Sequence, residues 1–331
     1  MEQTTSRPNT SVQAQIQALS DHLNTRILGQ SALMSRILIA VLADGHLLLE
    51  GAPGLAKTRA VKELSAGVEG SFHRIQFTPD LLPGDLTGTD VYHPEDGSFV
   101  FAPGPIFHNM VLADEINRAP AKVQSALLEA MAERQVTIGG KTYPLPELFL
   151  VMATQNPIEQ EGTYPLPEAQ LDRFLMYVTI SYPDEQVERD ILGLARQEAI
   201  QGVQAAASAI EPLSQALIFQ ARQQVLQVHT SPALEQYIVQ LVIATRHPDV
   251  YGETLGRWLR FGASPRATIA LDRCSKAHAW LAGRDFVTPE DIHAIAHEVL
   301  RHRILLTYEA EAEGVRSDEF ISELLRRVAV P

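Results

Sequence analysis

The sequence is poor in cysteine, in positive charge and in long apolar runs. A single cysteine, Cys274, excludes an internal disulfide. Because no secretory signal opens the sequence, we expect a reducing, cytoplasmic location. The formal net charge of −13 argues against a general binder of nucleic acid or anionic membrane. The apolar run at residues 37–43 is far too short to span a bilayer. We therefore expect no nucleic-acid partner and no membrane span.

An apolar stretch, a loop rich in glycine and proline, and a Lys-Thr pair follow one another at residues 46–58. This order is typical of a strand, a phosphate-binding loop and a helix whose N-terminus attracts anions. Lys57 could reach the outer phosphates of a nucleotide, and the Thr58 hydroxyl could bind Mg²⁺. Ala56 stands where the usual pattern has glycine, and the alternative is a plain turn between a strand and a helix. The expected nucleotide-binding residues are Gly51, Ala52, Pro53, Gly54, Leu55, Ala56, Lys57 and Thr58.

A second signature is the apolar run at residues 110–113, which ends in Asp114 and Glu115. A continuous apolar run indicates a buried parallel strand, and ligands bind beyond the carboxyl ends of such strands. Asp114 would then hold Mg²⁺ through its waters, and Glu115 would orient or deprotonate the water that attacks a γ-phosphate. The alternative is an acidic loop after a strand.

Three further polar residues follow predicted elements. Asn156 comes after an apolar strand and could bond the attacking water and a phosphate oxygen, although an Asn-Pro turn is an alternative. Arg173 lies on a short predicted helix. Arg266 lies in the first turn of another helix, where a cation opposes the helix dipole unless an anion binds there. The alternative for Arg266 is an exposed arginine that reaches into solvent.

The 331 residues allow two domains. We expect a disordered tail at residues 1–11, an α/β core at 12–183 with a parallel sheet flanked by helices, and a smaller all-α domain at 184–331. Within the core we expect an insertion at about 80–107, with short strands and turns after residue 97, and a hairpin at 135–144. One helix of the second domain is expected to run from Thr288 to about Leu306. It carries histidines whose spacing does not match a zinc site.

The order of these motifs resembles that of the AAA+ ATPases, and in particular the MoxR family. The resemblance extends over about residues 28–300. It rests on long strings of matching residues, which are found at 51–58, 77–85, 113–118, 153–157, 161–174 and 262–266.

The resemblance implies a P-loop AAA+ core followed by a helical lid, with ATP and Mg²⁺ as cofactors. It implies that family members act as hexameric rings, with a partner that carries a von Willebrand factor A domain, and remodel client proteins or help to insert metal cofactors. The implied roles are Lys57 and Thr58 as Walker A, Asp114 and Glu115 as Walker B, Asn156 as sensor 1, Arg173 as arginine finger, Arg266 as sensor 2, and Gly29 and Gln30 as neighbours of adenine.

A ring also has a physical rationale. The predicted helix that carries Arg173 leads away from the sheet, so Arg173 would reach the phosphates of a neighbouring subunit rather than its own.

The alternative functions are the motor subunit of a complex similar to magnesium chelatase, a nucleic-acid motor, or a nucleotide switch. The net charge argues against the nucleic-acid motor, and Glu115 argues against a pure switch. The sequence does not settle whether Arg266 acts within its own subunit.

Overall fold

Helices and strands alternate in the first half of the chain. A computed structural model describes residues 11–52, 54–55, 57–95, 97–157, 162–201 and 211–331. The elements up to residue 180 are α1 (Val12–Arg26), α2 (Ser31–Leu42), β1 (Leu47–Gly51), α3 (Lys57–Ala66), β2 (Phe72–Gln76), α4 (Pro83–Thr87), β3 (Gly88–His93), β4 (Ser98–Pro103), β5 (Met110–Asp114), α5 (Ala121–Glu133), β6 (Gln135–Ile138), β7 (Lys141–Pro144), β8 (Leu150–Gln155), α6 (Glu168–Leu171) and β9 (Met176–Ile180). Residues 1–10 of the expected tail lie outside the described residues. Ser11 is the N-cap of α1, because its hydroxyl accepts a hydrogen bond from the Ala14 N–H at 3.2 Å.

The central sheet has the strand order β2-β5-β8-β1-β9, and its strands are all parallel. Successive side chains of a strand point to opposite faces. Leu112 and Met152 accordingly join the core formed with α1, α2 and α3, whereas Val111 and Val151 join the core formed with α5. Burial on both faces explains why these strands are continuous apolar runs.

The predicted insertion between β2 and β5 contains one turn of helix, α4, and an antiparallel pair, β3 with β4. We expected a loop with at most one turn of helix at residues 78–88 and short strands only after residue 97, so β3 was not predicted. Its residues after Gly88 are exposed, so no alternation of apolar and polar residues indicates a strand. Residues 104–107 contain a 3₁₀ turn at Pro105–Phe107. The insertion contacts the hairpin of β6 and β7 through Phe101, which stacks on Tyr143 with ring centroids 4.0 Å apart.

The described part of the second half, which leaves out residues 202–210, is helical apart from one short strand pair. Its elements are α7 (Glu185–Gln201), α8 (Gln215–Leu226), α9 (Pro232–Ala244), α10 (Glu253–Trp258), β10 (Leu259–Phe261), α11 (Pro265–Leu281), α12 (Pro289–Leu300), β11 (Leu305–Leu306), α13 (Tyr308–Ala312) and α14 (Ser317–Arg327). In the described part of the chain, no helix is both long and apolar enough to cross a membrane.

The helix expected to continue to Leu306 ends at Leu300, so that prediction was wrong. The chain turns at Arg303, whose buried guanidinium donates to the Asp172 carboxylate at 2.8 Å and to the Phe174 carbonyl at 2.6 Å. These contacts with the core anchor the turn, and the next residues pair as β11 with β10. His302 therefore lies beyond the helix, and its Nε2 is 3.1 Å from the Phe174 carbonyl.

Candidate active site

The phosphate loop begins where β1 ends, at Gly51, and leads into α3, which begins at Lys57. A Cβ on Gly51 would lie 3.0 Å from the Ile180 carbonyl oxygen, so a side chain there would require β9 to shift by a few tenths of an ångström. Gly54 has φ +87°, a left-handed conformation that favours glycine. Ala52 and Leu55 are buried. The predicted binding residues Pro53 and Ala56 lie outside the described residues.

Lys57 lies in the first turn of α3, and its ammonium donates to the Gly51 carbonyl at 2.7 Å. Burial lowers the pKa of Lys57, while the nearby carboxylates of Asp114, Glu115 and Glu50 act in the opposite direction. The ammonium is therefore close enough to these carboxylates for their charges to interact. The fold thus brings together the phosphate loop and the Asp-Glu pair, which are far apart in the sequence.

Asp114 is the last residue of β5, and its carboxylate is held by two neighbouring strands. Thr154 on β8 donates its hydroxyl proton to Oδ1 at 2.5 Å. Arg74 on β2 donates from Nε at 3.0 Å and from a terminal nitrogen at 2.5 Å, both to Oδ2. β5 also contacts α3, whose first turn contains Thr58. Along β5, Asp114 alternates in step with Met110 and Leu112, which lie in the core formed with α3, so the Asp114 carboxylate is on the side of the sheet that α3 covers.

Glu115 follows Asp114 with φ +57°, a conformation that is uncommon for a residue with a side chain. Its N–H donates to the Thr154 hydroxyl at 2.9 Å. Its carboxylate accepts hydrogen bonds from Gln76 at 2.8 Å and from Arg118 at 3.1 Å. One hydroxyl, that of Thr154, therefore links the backbone of Glu115 to the carboxylate of Asp114.

Asn156 directly follows β8 and is 7% exposed. β8 lies between β5 and β1 in the sheet. Asn156, directly after β8, is therefore located between the Asp-Glu pair and the phosphate loop. This position agrees with a role at the end of a bound phosphate chain. Residues 158–161 of the loop that follows lie outside the described residues.

A cavity of about 270 Å³ lies beside the phosphate loop. Gln30 lines it together with Gly54 and Leu55 of the loop. Gly29 precedes Gln30 in the turn between α1 and α2. The other lining residues are Arg26, Ile27, Leu28, Arg59, Tyr182, Pro183, Glu188, Ile191, Leu194 and Ala195. The largely apolar wall next to a phosphate loop suits a nucleoside.

The prediction that Arg173 lies on a helix was wrong, because α6 ends at Leu171 and Arg173 is in the turn that follows. Arg173 and Arg266 line a different cleft, of about 280 Å³. Arg266 lies in the first turn of α11, 3.9 Å from the Asp172 carboxylate. The guanidinium of Arg173 has no hydrogen-bond or ion-pair partner among the described residues. The lining of this cleft includes no residue of the phosphate loop and neither member of the Asp114–Glu115 pair. The predicted site residues therefore form two groups on separate surfaces.

Sequence reasoning did not assign roles to Arg74, Gln76 or Thr154. The two β2 residues contact the Asp-Glu pair only because Gln76 is in register with Asp114. Strand register in a parallel sheet depends on the tertiary fold, so the sequence offers no direct signal for it. Thr154 was part of a matching string, but its contact with both carboxylate residues requires β8 to lie next to β5.

Two family models match the chain. A model described as "ATPase family associated with various cellular activities (AAA)" matches residues 46–176, and an AAA lid domain matches residues 257–324. Chaperone MoxR1 of Mycobacterium tuberculosis is 46% identical over 92% of this chain and 79% of its own length. Protein MoxR of Methylorubrum extorquens is 34% identical over 91% of this chain and 90% of its own length.

The chain belongs to the MoxR family of AAA ATPases. A crystal structure of a proposed ATPase from Cytophaga hutchinsonii is similar to it, with 47% identity, a TM-score of 0.89 and coverage of 97% of this chain and 96% of that one. The sequence-based predictions of family, of a parallel-sheet AAA core with a lid, and of an ATPase are thereby confirmed.

Proposed function

We propose that the chain is a Mg²⁺-dependent ATPase that works as a ring in the cytoplasm and uses hydrolysis to remodel another protein. One observation carries this proposal. At the carboxyl edge of the sheet, the Lys57 ammonium lies close enough to the carboxylates of Asp114 and Glu115 for their charges to interact. A cation, a metal-binding carboxylate and a water-activating carboxylate are the groups that phosphoryl transfer to water requires.

The residues present fit Mg²⁺. Among the described residues, no three His, Cys, Asp or Glu side chains form a cage that could hold a metal ion alone. Mg²⁺ does not need such a cage, because one or two carboxylates and the substrate phosphates usually bind it. The Thr58 hydroxyl and the Asp114 carboxylate would hold it, the latter through water. When bound, Mg²⁺ would neutralise negative charge on the phosphate oxygens.

The other residues would bind ATP and activate water. Lys57 at the N-terminus of α3 would contact the β- and γ-phosphates, and Gln30 would lie beside the adenine. Glu115 would accept a proton from the water that attacks the γ-phosphorus as the bond to the β-phosphate oxygen breaks. Asn156 would orient this water. The hydrogen bonds from Gln76 and Arg118 to Glu115 support the proposal because they fix the direction of the base.

Arg173 and Arg266 would act on the nucleotide of a neighbouring subunit. Their common cleft supports this proposal, because it contains no residue of the phosphate loop. An arginine supplied in trans increases the rate of phosphoryl transfer by about 10³–10⁵ where it has been measured. A hexameric ring would place each cleft against the next phosphate loop.

Mixed rings test this arrangement. Lys57→Ala and Arg173→Ala proteins should each be inactive, and a 1:1 mixture should recover activity at about a quarter of the interfaces, as random mixing of subunits predicts. The same recovery should occur with Arg266→Ala if Arg266 also acts in trans, whereas an Arg266 that acts in cis would give none. Absence of recovery with Arg173→Ala, in rings shown to contain both subunits, would contradict the shared site.

We infer that the client is another protein. One similar protein is named Chaperone MoxR1, which favours remodelling of a protein over the motor of a complex similar to magnesium chelatase or unwinding of nucleic acid. The family resemblance adds a partner with a von Willebrand factor A domain. Assistance in metal-cofactor insertion would be one form of such remodelling.

A further inference from the structure

The ion pair between Arg74 and Asp114 lies inside the candidate active site. Arg74 is on β2, two residues before Gln76, so it is on the same face of the sheet as Asp114. It contacts Oδ2 of Asp114 through two nitrogens, at 2.5 and 3.0 Å. With Thr154 bonded to Oδ1, both oxygens of this carboxylate are engaged by protein groups.

The two partners differ in their exposure to solvent. The side chain of Arg74 is 47% exposed, whereas that of Asp114 is 12% exposed. The guanidinium can therefore leave and be solvated, whereas a buried carboxylate without a cation is costly. Arg74 also donates to the Gln76 side chain at 3.0 Å, and this contact can hold it nearby after it leaves Asp114.

We propose that Arg74 is a displaceable cation, which neutralises Asp114 while no metal is bound and is displaced from Oδ2 when Mg²⁺ enters with the nucleotide. This inference depends on the proposed role of Asp114 in holding Mg²⁺. A guanidinium and a hydrated Mg²⁺ both need the outward-facing oxygen of the same carboxylate, so each weakens the binding of the other. Arg74 thereby raises the Mg²⁺ concentration that the site requires.

The alternative is a purely structural ion pair that remains in place when metal binds. A fixed structural pair would repel the metal only through its charge, so Arg74→Lys, which keeps that charge, would bind the metal as the unaltered chain does. A competing pair predicts that metal affinity rises in Arg74→Lys as well, because the contact of two nitrogens with Oδ2 is lost, and rises further when the charge is removed. Metal affinity therefore separates the two interpretations independently of ATPase rates.

The test is the affinity of Mn²⁺, used as a probe for the magnesium site, in protein saturated with ADP. The free ion is measured by electron paramagnetic resonance. In Arg74→Gln the dissociation constant should be about tenfold lower than in the unaltered chain, a change typical of losing one competing charge-assisted pair. Arg74→Lys, which keeps the charge but loses the two-nitrogen contact, should fall between them. Arg257→Gln removes an exposed arginine that pairs with Glu313 at 3.2 Å in the lid and is the matched control.

An unchanged or higher dissociation constant in Arg74→Gln or in Arg74→Lys, in protein whose melting curve shows a folded state, would overturn the inference while leaving the proposed ATPase intact. Failure of the unaltered chain to bind ADP would overturn both. Failure of ADP-bound protein to bind Mn²⁺ would remove the metal-holding role of Asp114 and, with it, that of Arg74.

Discussion

Removal of the Thr154 hydroxyl should break the hydrogen bonds that link Asp114 to Glu115. This hydroxyl donates to Asp114 at 2.5 Å and accepts from the Glu115 N–H at 2.9 Å, and Thr154 is 1% exposed. In Thr154→Val the side chain keeps its shape but loses both contacts. The Glu115 N–H is then left without its partner, at a residue whose φ is +57°.

The magnitude follows from the two bonds. A buried donor left unsatisfied costs about 1–3 kcal/mol, and a hydrogen bond to a charged group contributes about 1.5–3 kcal/mol. Since Glu115 is partly exposed, we add the lower limits of these two ranges. We therefore expect the free energy of unfolding, measured by urea denaturation, to fall by about 2–3 kcal/mol. Because misplacement of a catalytic group by about 1 Å can reduce the rate by about 10²-fold, kcat for ATP should fall by about 10–100-fold. The affinity for ADP without metal should change little, since the contacts of Lys57 are intact.

Thr154→Ser is the matched control, because it keeps the hydroxyl and removes only a methyl group. It should retain most of the turnover at a stability cost of about 1 kcal/mol, as expected for one buried methyl group. The reasoning would be refuted if Thr154→Val hydrolysed ATP as fast as Thr154→Ser. Equal turnover would mean that the hydroxyl does not position Glu115.

Two further predictions concern Glu115, the proposed base, and a buried histidine. Glu115→Gln should bind ATP with little turnover and retain a protein client through washing with ATP; wild-type turnover would remove Glu115 from the mechanism. Burial is the main reason that the pKa of His46 is lowered to about 4, and the charge of Arg134 adds to this effect. The Val151 N–H donates a hydrogen bond to Nδ1 of His46 at 3.0 Å, so the native state needs a neutral ring. Because the folded-state pKa is below the usual 6.5, this stability is complete above about pH 6.5 and is lost as the pH falls towards 4. The total is about 3 kcal/mol. His46→Gln should reduce the slope of unfolding free energy against pH over this range, and an unchanged slope would contradict the assignment.

The parts of the site that the sequence predicts are those carried by local patterns. The buried strands β1, β5 and β8 are apolar runs, and the polar residues that follow them meet because parallel strands end at one edge of the sheet. This rule predicts that Asp114 and Asn156 lie near the phosphate loop without knowledge of the strand order. The hairpin of β6 and β7 was also predicted from a local pattern, because Gly139 and Gly140 are suited to a two-residue turn.

The contacts that were not predicted depend on strand register and on domain packing. Arg74 reaches Asp114 only through the register of β2 with β5, and no sequence pattern specifies that register. The position of Arg266 depends on how the lid packs against the core. That packing includes two contacts of Asp172, which precedes Arg173 in the turn after α6. The buried Arg303, after α12, forms an ion pair with it, and Ser264, the N-cap of α11, donates a hydrogen bond to it. An arginine at the start of a helix indicates an anion site, but it does not indicate which subunit supplies the anion.

The distribution of charge bears on how assembly and catalysis are linked. Copies of a chain with net charge −13 repel one another, so ring formation depends on local attraction. The cleft of Arg173 and Arg266 is lined by five arginines and only two aspartates, and Arg173 has no partner among the described residues. The opposing surface, on our proposal, is the carboxyl edge of the sheet, which gains the charge of a triphosphate when nucleotide binds. Nucleotide would therefore strengthen the interface through the same contacts that complete the active site, and hydrolysis with loss of the γ-phosphate would weaken it. On our proposal, a ring held in this way would couple the nucleotide state of one subunit to the position of its neighbour's lid.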